Sequence, residues 1–457
     1  MRVLKFGGSV LKNEDDILNI ENIVKKTIKE IKNNDKIVLV FSAFYGITNK
    51  LLSLGLLSAK KEDFKKQFDE LKNFHIEIAT KLGLKNEDFE IIKKLFTKIE
   101  NTLNIINDKE ILNNENTDYL LAFGERLSNF IIASFLSKTF SVKQISPCSI
   151  IKTDSNFGYA SVNFEESNSK IKDTINNIEE NIIVCAGFFG SDKQDRITTL
   201  GRNGSDYSAS IIAGAIKAER LEIWKDIDGL YTADPKIVKN VKIIKKITYQ
   251  EMAELSSLGN KVIHINAISP CILLNIPIVL KNCYNYNCEG TYITNEKCEN
   301  YLINGIVKYD GVSIITLQAN EFADITDIAI KLQVLIKDYN DTIITISQSI
   351  KQKKISLMVS NLRFDNLYME IKNIFKDLIE KQVLELENSS KMSLITIIGA
   401  NLSAVVGISG KIFRTLENNN INVFAIQDDF STTRISFLCN TENSKDAVNL
   451  LHNELLK

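Results

Sequence analysis

The sequence predicts an α/β protein: a doubly wound, mostly parallel sheet with a helical insertion, followed by two small α+β units of ferredoxin-like type. Three observations predict it. Short apolar runs, RVLKF (2–6), KIVLVFSA (36–43) and IPIVLKN (276–282), read as strands covered on both faces, and stretches of helical period separate them. Residues 50–110 hold two helical periodicities, at about 61–83 and 86–107, with little glycine and almost no β-branched runs. The last third changes rhythm, to β-α-β-β-α-β over 312–388 and β-α-β-β-α over 392–457.

The first strand runs into Gly7-Gly8-Ser9, and a helix follows over about 14–33 with Ile17, Ile20, Ile23, Val24, Ile28 and Ile31 on one face. The strand at 36–43 completes a β-α-β unit with a glycine turn at its first junction. A helix over 117–138 carries FGERLSNFIIASFL. Strands at 142–146 and 182–187 flank a helix at about 166–178. A helix at 205–218, a strand at 220–226, helices at 249–257 and 261–274 and the strand at 276–282 bring the α/β domain to about residue 295. Beyond it, the first small unit is expected over 312–388. The second, over 392–457, lacks its last strand, which 301–309 could supply, nesting the first unit inside the second. KKISLMV (353–359) and TRISFLC (433–439) echo one another 80 residues apart.

A chain of 457 residues exceeds one hydrophobic core. A net charge of −1 gives no broad pull toward nucleic acid or a membrane surface. With no run of about 18 apolar residues and no signal-peptide pattern, a cytoplasmic location is expected. Seven scattered cysteines with no C-x-x-C pair, and histidines only at 75, 264 and 452, argue against a disulfide framework or a zinc site.

Four stretches carry the chemistry. In LKFGGSV (4–10), two glycines after a strand make a backbone cradle for phosphate, with Lys5 beside it to neutralise a transferred phosphoryl group; the G-x-x-x-x-G-K order of a Walker loop is absent. SAFYGITN (42–49) offers Ser42, Thr48 and Asn49 at a strand's carboxyl end, as ligand donors or as helix caps. GERLS (124–128) places Glu125 and Arg126 in an apolar helix, where charges need partners. TTLGRNGSDYSASIIAGA (198–215) is a glycine turn feeding a helix: free N–H groups and Arg202 suit an anion, and Asp206 suits the helix start. WKDIDGLYTADP (224–235) and GNKVIH (259–264) could frame a nucleotide, with Trp224 read as core and His264 as a structural histidine.

In order and spacing, KFGGSV, GERLS, TLGRNGSDYSA, WKDIDGLYTADPK and LGNKVIHI resemble the motifs of the aspartate kinases of the amino-acid kinase superfamily. The resemblance covers nearly the whole chain and implies the amino-acid kinase fold, with the two terminal units as paired ACT regulatory domains. It implies transfer of the ATP γ-phosphoryl group to the β-carboxylate of L-aspartate, with Mg²⁺ carried by ATP and no metal ligands of the protein's own. It makes Lys5 and Asp206 catalytic and places Thr48, Glu125, Arg202, Asn203, Gly204 and Ser205 around aspartate. Lys5, Phe6, Gly7, Gly8, Lys225, Asp226, Tyr231, Lys236, Lys261 and Val262 fall on its nucleotide-binding positions. Lysine or threonine is the implied effector, and a homodimer or dimer of dimers through the ACT units the implied assembly.

Departures from the family pattern are local. The opening motif is one residue short, Lys225 and Lys236 stand for threonine and arginine, and no proline follows His264. QANEFADITDIAIKL (318–332) has no glycine in its ligand-loop position, whereas the second unit keeps Gly407. The rival readings are a sister kinase acting on glutamate, acetylglutamate or UMP, and a non-catalytic amino-acid sensor. No G-x-G-x-x-G fingerprint follows the regulatory units, so a fused homoserine dehydrogenase is not expected in this chain.

Overall fold

The computed structural model describes residues 1–31, 35–257, 262–296, 303–339, 342–427 and 433–456. The chain divides into two bodies: residues 1–230, 243–256 and 261–298 form the first, and 231–242, 257–260 and 299–457 the second.

The first body is built on strands β1 (Arg2–Phe6), β2 (Ile37–Phe41), β3 (Val142–Ile145), β4 (Ile182–Ala186), β7 (Leu221–Lys225), β8 (Lys246–Thr248), β9 (Ile278–Asn282) and β10 (Thr291–Thr294). A separate hairpin pairs β5 (Phe189–Ser191) with β6 (Ile197–Thr199). The large sheet runs β3-β4-β2-β1-β7-β9-β10-β8, parallel except where β10 turns back along β9. β1, β2 and β4 are buried along their whole length, as expected of apolar runs in the middle of a parallel sheet.

Alternation along β1 decides where the chemistry falls. Leu4 and Phe6 join a core built from the helix Glu14–Glu30, the insertion and the helix Asn114–Leu136. Lys5 therefore points to the opposite face, where the helix Gly204–Ala215 lies against β1, β2 and β7. That helix is made of small residues and is buried on nearly every side. The insertion consists of three helices, Ile47–Ala59, Lys65–Lys81 and Asn86–Lys109.

Several expected elements take another form. The helix expected over 261–274 is not one helix over its described residues 262–274: Ile265–Ile268 is a 3-10 turn and Ser269–Leu273 a short helix with Pro270 in its first turn. The hairpin, β8 and β10 have no counterpart in the sequence reading; each is only three or four residues long. Among the described residues no helix is long and apolar enough to cross a membrane.

The second body is a six-stranded antiparallel sheet with helices. Its strands are β11 (Gly305–Ala319), β12 (Ile343–Ser349), β13 (Lys354–Ser360), β14 (Leu384–Ile398), β15 (Ala425–Gln427) and β16 (Arg434–Asn440), in the order β12-β13-β11-β14-β16-β15. The segments 301–309 and 312–317 are parts of one strand where described, continuous through Gly311 at φ 74°. Likewise 381–387 and 392–398 merge into β14, in which Lys391 has φ 64°. β11 and β14 pair along their full length, with register shifts between Asp310 and Ile314. Their outer halves frame one core with the helices Ile325–Ile336 and Phe364–Ile374. Their other halves frame a second core with the helices Ile408–Glu417 and Ser444–Leu455.

Candidate active site

The carboxyl ends of β1, β2 and β7 lie side by side in a parallel sheet, which is where such folds present their ligands. Lys5 sits just inside that edge, 4% exposed, and its ammonium is ion-paired with Asp206 in the first turn of the helix Gly204–Ala215. Lys225, at the end of β7, brings a second ammonium to 3.9 Å from the other Asp206 oxygen and donates to the Val262 carbonyl. Burial works against ionised Asp206, but Lys5 and then Lys225 outweigh it and hold its carboxyl below the usual range. Burial also lowers Lys225, with Asp206 opposing. Two cations thus converge on one buried anion.

At Gly7 an added Cβ would stand 3.3 Å from Lys5 Nζ, so the missing side chain leaves the space in front of the ammonium open. The Gly7 N–H donates to the Trp224 carbonyl at 3.3 Å and ties the turn to β7. Gly8 begins a 3-10 turn, Gly8–Val10. Phe6 is core: its ring stacks on Phe41 and Trp224, at 5.3 and 6.0 Å between centroids, so only its backbone borders this edge.

Glu125, on the helix Asn114–Leu136, is 4% exposed. Burial pushes its carboxyl up to about 8, while the Ala43 backbone N–H, its own backbone and the field of Lys5 pull the other way. Its Oε2 is buried with no hydrogen-bond partner among the described residues. Ser128, one turn on, donates to the Ser42 carbonyl at 2.7 Å and fixes this helix to the end of β2. Thr48 is half-buried in the first turn of the helix Ile47–Ala59; the capping position belongs to Gly46, at φ 77°, and neither Thr48 nor Asn49 caps the helix.

The turn before Asp206 divides its residues. Asn203 takes the left-handed conformation, φ 60°, and is the N-cap without a side-chain bond. Gly204 and Ser205 are buried, and Gly187 is needed at the end of β4 because a Cβ there would stand 2.8 Å from Ser205 Cα. Arg202 is exposed and opens onto a cavity of about 350 Å³ lined also by Tyr159, Phe164, Tyr207 and His264. Lys5, Glu125, Thr48 and Asp206 are not in that lining; Arg202 stands in the turn just before the helix whose first turn carries Asp206, the partner of Lys5. His264 is exposed on the cavity wall.

Asp226 is exposed beyond Lys225. Tyr231 and Lys236 belong to the second body, and Lys261 lies outside the described residues. Among the described residues no cluster of three or more His, Cys, Asp or Glu could hold a metal ion. The donors present, two ammonium groups beside an open glycine turn, suit the phosphates of a nucleotide.

Residues 1–282 match the profile of the amino acid kinase family, and residues 395–455 match an ACT domain. The chain belongs to the amino acid kinase family. It is similar to a bifunctional aspartokinase/homoserine dehydrogenase of Buchnera aphidicola, with 31% identity over all of this chain and 56% of that protein. The chain thus spans little more than half the length of that relative. Among solved structures it resembles Clostridium acetobutylicum aspartate kinase, with a TM-score of 0.84, 25% identity and full coverage of both chains. It also resembles E. coli aspartokinase III, solved with aspartate and ADP and with lysine and aspartate, with a TM-score of 0.79 and 25% identity over the whole of both chains.

Proposed function

We propose that this protein is an aspartate kinase, which transfers the γ-phosphoryl group of MgATP to the β-carboxylate of L-aspartate and forms ADP and 4-phospho-L-aspartate. The observation that carries the reading is the buried Lys5–Asp206 pair beside the unpartnered carboxyl oxygen of Glu125. The ligands of the E. coli relative, aspartate and ADP, support aspartate as the acceptor and an adenine nucleotide as its partner here.

The bond from the β,γ-bridging oxygen to the γ-phosphorus breaks, and a bond from an aspartate β-carboxylate oxygen to that phosphorus forms. No proton moves, so no general base is required. The difficulty is bringing two anions together, and positioned cations answer it. Lys5 faces the open Gly7 turn and stabilises the transferring group; Asp206 holds its ammonium in place. Lys225, Gly8, the Phe6 backbone, Asp226 and Val262 border the nucleotide, with Tyr231, Lys236 and Lys261 assigned to it by motif alone. Arg202 takes the α-carboxylate of aspartate with Asn203, Gly204 and Ser205, Glu125 takes its ammonium, and Thr48 contacts the substrate. Mg²⁺ carried by the triphosphate would offset part of its charge, with no ligand of the chain's own assigned to it.

Residues 1–295 form the catalytic part in this reading, with 312–388, and 301–309 plus 392–457, as two regulatory units. Lysine or threonine is the expected effector, and the second unit its site. The helix Ile325–Ile336 of the first unit is already capped by Asp324, whereas Ile408–Glu417 of the second starts at Gly407, φ 81°, with no side-chain cap. Copies are expected to associate through these units.

Aspartate-dependent ADP release tests the assignment. Lys5→Met should lower kcat by about three orders of magnitude while the far-UV circular dichroism keeps its native form. Arg202→Ala should raise KM for aspartate about tenfold or more and leave KM for ATP alone. An unchanged kcat in the first variant, or an effect confined to ATP in the second, overturns these roles.

A further inference from the structure

We infer that Asp118 is a positioning residue that fixes both walls of the Arg202 cavity and so sets the affinity for the substrate carboxylate without touching it. The inference rests on the reading of Arg202 as the aspartate-binding cation. Asp118 is 0% exposed, on the same helix as Glu125 and two turns before it. A carboxylate in such a place needs its lone pairs filled. One oxygen accepts from the Gly158 N–H at 2.9 Å and the Thr199 N–H at 2.7 Å, and the other accepts from Thr199 Oγ1 at 2.7 Å.

The three donors come from the two segments that shape the cavity. Gly158, at φ 90°, precedes Tyr159, which lines one wall with Ala160, Ser161 and Val162. Thr199 precedes Leu200, which lines the other wall with Arg202 and Asn203. The walls touch directly as well. The Ala160 N–H donates to the Thr199 carbonyl at 2.9 Å, and a Cβ on Gly201 would come within 2.4 Å of the Tyr159 ring. One anchor therefore sets how far the Tyr159 loop stands from the turn that presents Arg202. Its loss leaves the buried Thr199 N–H and the part-buried Gly158 N–H unpaired, and the walls separate to reach water.

Asp118→Ala removes all three contacts. Asp118→Asn can keep them: the amide oxygen accepts both N–H groups and the amide nitrogen donates to Thr199 Oγ1. Aspartate-dependent ADP release should show KM for aspartate raised about tenfold in Asp118→Ala, KM for ATP within about twofold, and recovery in Asp118→Asn. Thr199→Val, which loses one contact, should give a smaller rise and serves where Asp118→Ala does not fold. A role in stability alone would lower the melting temperature and leave KM for aspartate unmoved, and that result overturns the inference. Amide hydrogen exchange needs no substrate: faster exchange at 157–161 and 199–203 together in either variant supports the anchor, and unchanged exchange at both removes it. A wild-type protein without aspartate-dependent turnover would refute the proposed function; the exchange result would then decide the anchor on its own.

Discussion

Glu125 spends little of its life ionised in the empty fold at neutral pH. Its carboxyl is held up at about 8, against 4.5 unfolded, chiefly by burial. An acid raised in this way keeps its proton when folded, so it costs nothing below about pH 4.5 and costs stability progressively as pH rises toward 8. A substrate ammonium draws a carboxylate out of it, and aspartate binding then releases a proton. KM for aspartate should therefore fall as pH rises from 6.5 to 8, by at most about tenfold per unit, and Glu125→Gln should flatten that dependence while raising KM. A flat wild-type profile would remove Glu125 from the ammonium site. The sequence made the residue legible as a charge in an apolar helix, but its unpartnered oxygen is a property of the packed site. Asp118 was silent for the complementary reason: TDYL carries no sign that its acid collects donors from residues 158 and 199.

Among the elements, the insertion places a titratable group against the site loop. His75, on the helix Lys65–Lys81, is fully buried between the rings of Phe44, Phe74 and Phe96, and its Nδ1 lies 2.8 Å from the Leu71 carbonyl. Phe44 belongs to the segment 42–49 that leads from β2 to Thr48. Burial pushes His75 down to about 4 from 6.5. The unfolded chain then binds the proton first, and stability is lost as pH falls from about 6.5 toward 4. Between pH 7.5 and 5 the His75 contribution is a loss of about 2 kcal/mol; the relief of Glu125 over the same range opposes it, so it is read as the difference in the pH dependence of the urea midpoint between wild type and His75→Gln. A His75→Gln variant whose midpoint shifts between the two pH values as the wild type's does would contradict the burial argument. Central strands were legible because their runs are apolar on both faces. The hairpin β5–β6 was not, since three residues carry no period, and the stretch expected as one helix over 261–274 divides, where described, into a 3-10 turn and a short helix that carries Pro270 in its first turn. β11 and β14 each read as two strands because a residue at positive φ and a register shift interrupt the alternation without ending the pairing.

For the whole molecule, the account is of an α/β body whose sheet edge gathers cations, and a second body whose two cores share one antiparallel sheet. Both were visible in the change of rhythm near residue 300; how the strands join was not. The central claim is a reaction, phosphoryl transfer to a carboxylate, and its product is an acyl phosphate that hydroxylamine traps. Incubation with MgATP, hydroxylamine and either L-aspartate or N-acetylglutamate, with ADP and hydroxamate quantified together, tests it most directly. The account predicts aspartyl β-hydroxamate equal in amount to the ADP released, and none from N-acetylglutamate. ADP without hydroxamate, or equal turnover of both acids, would contradict it.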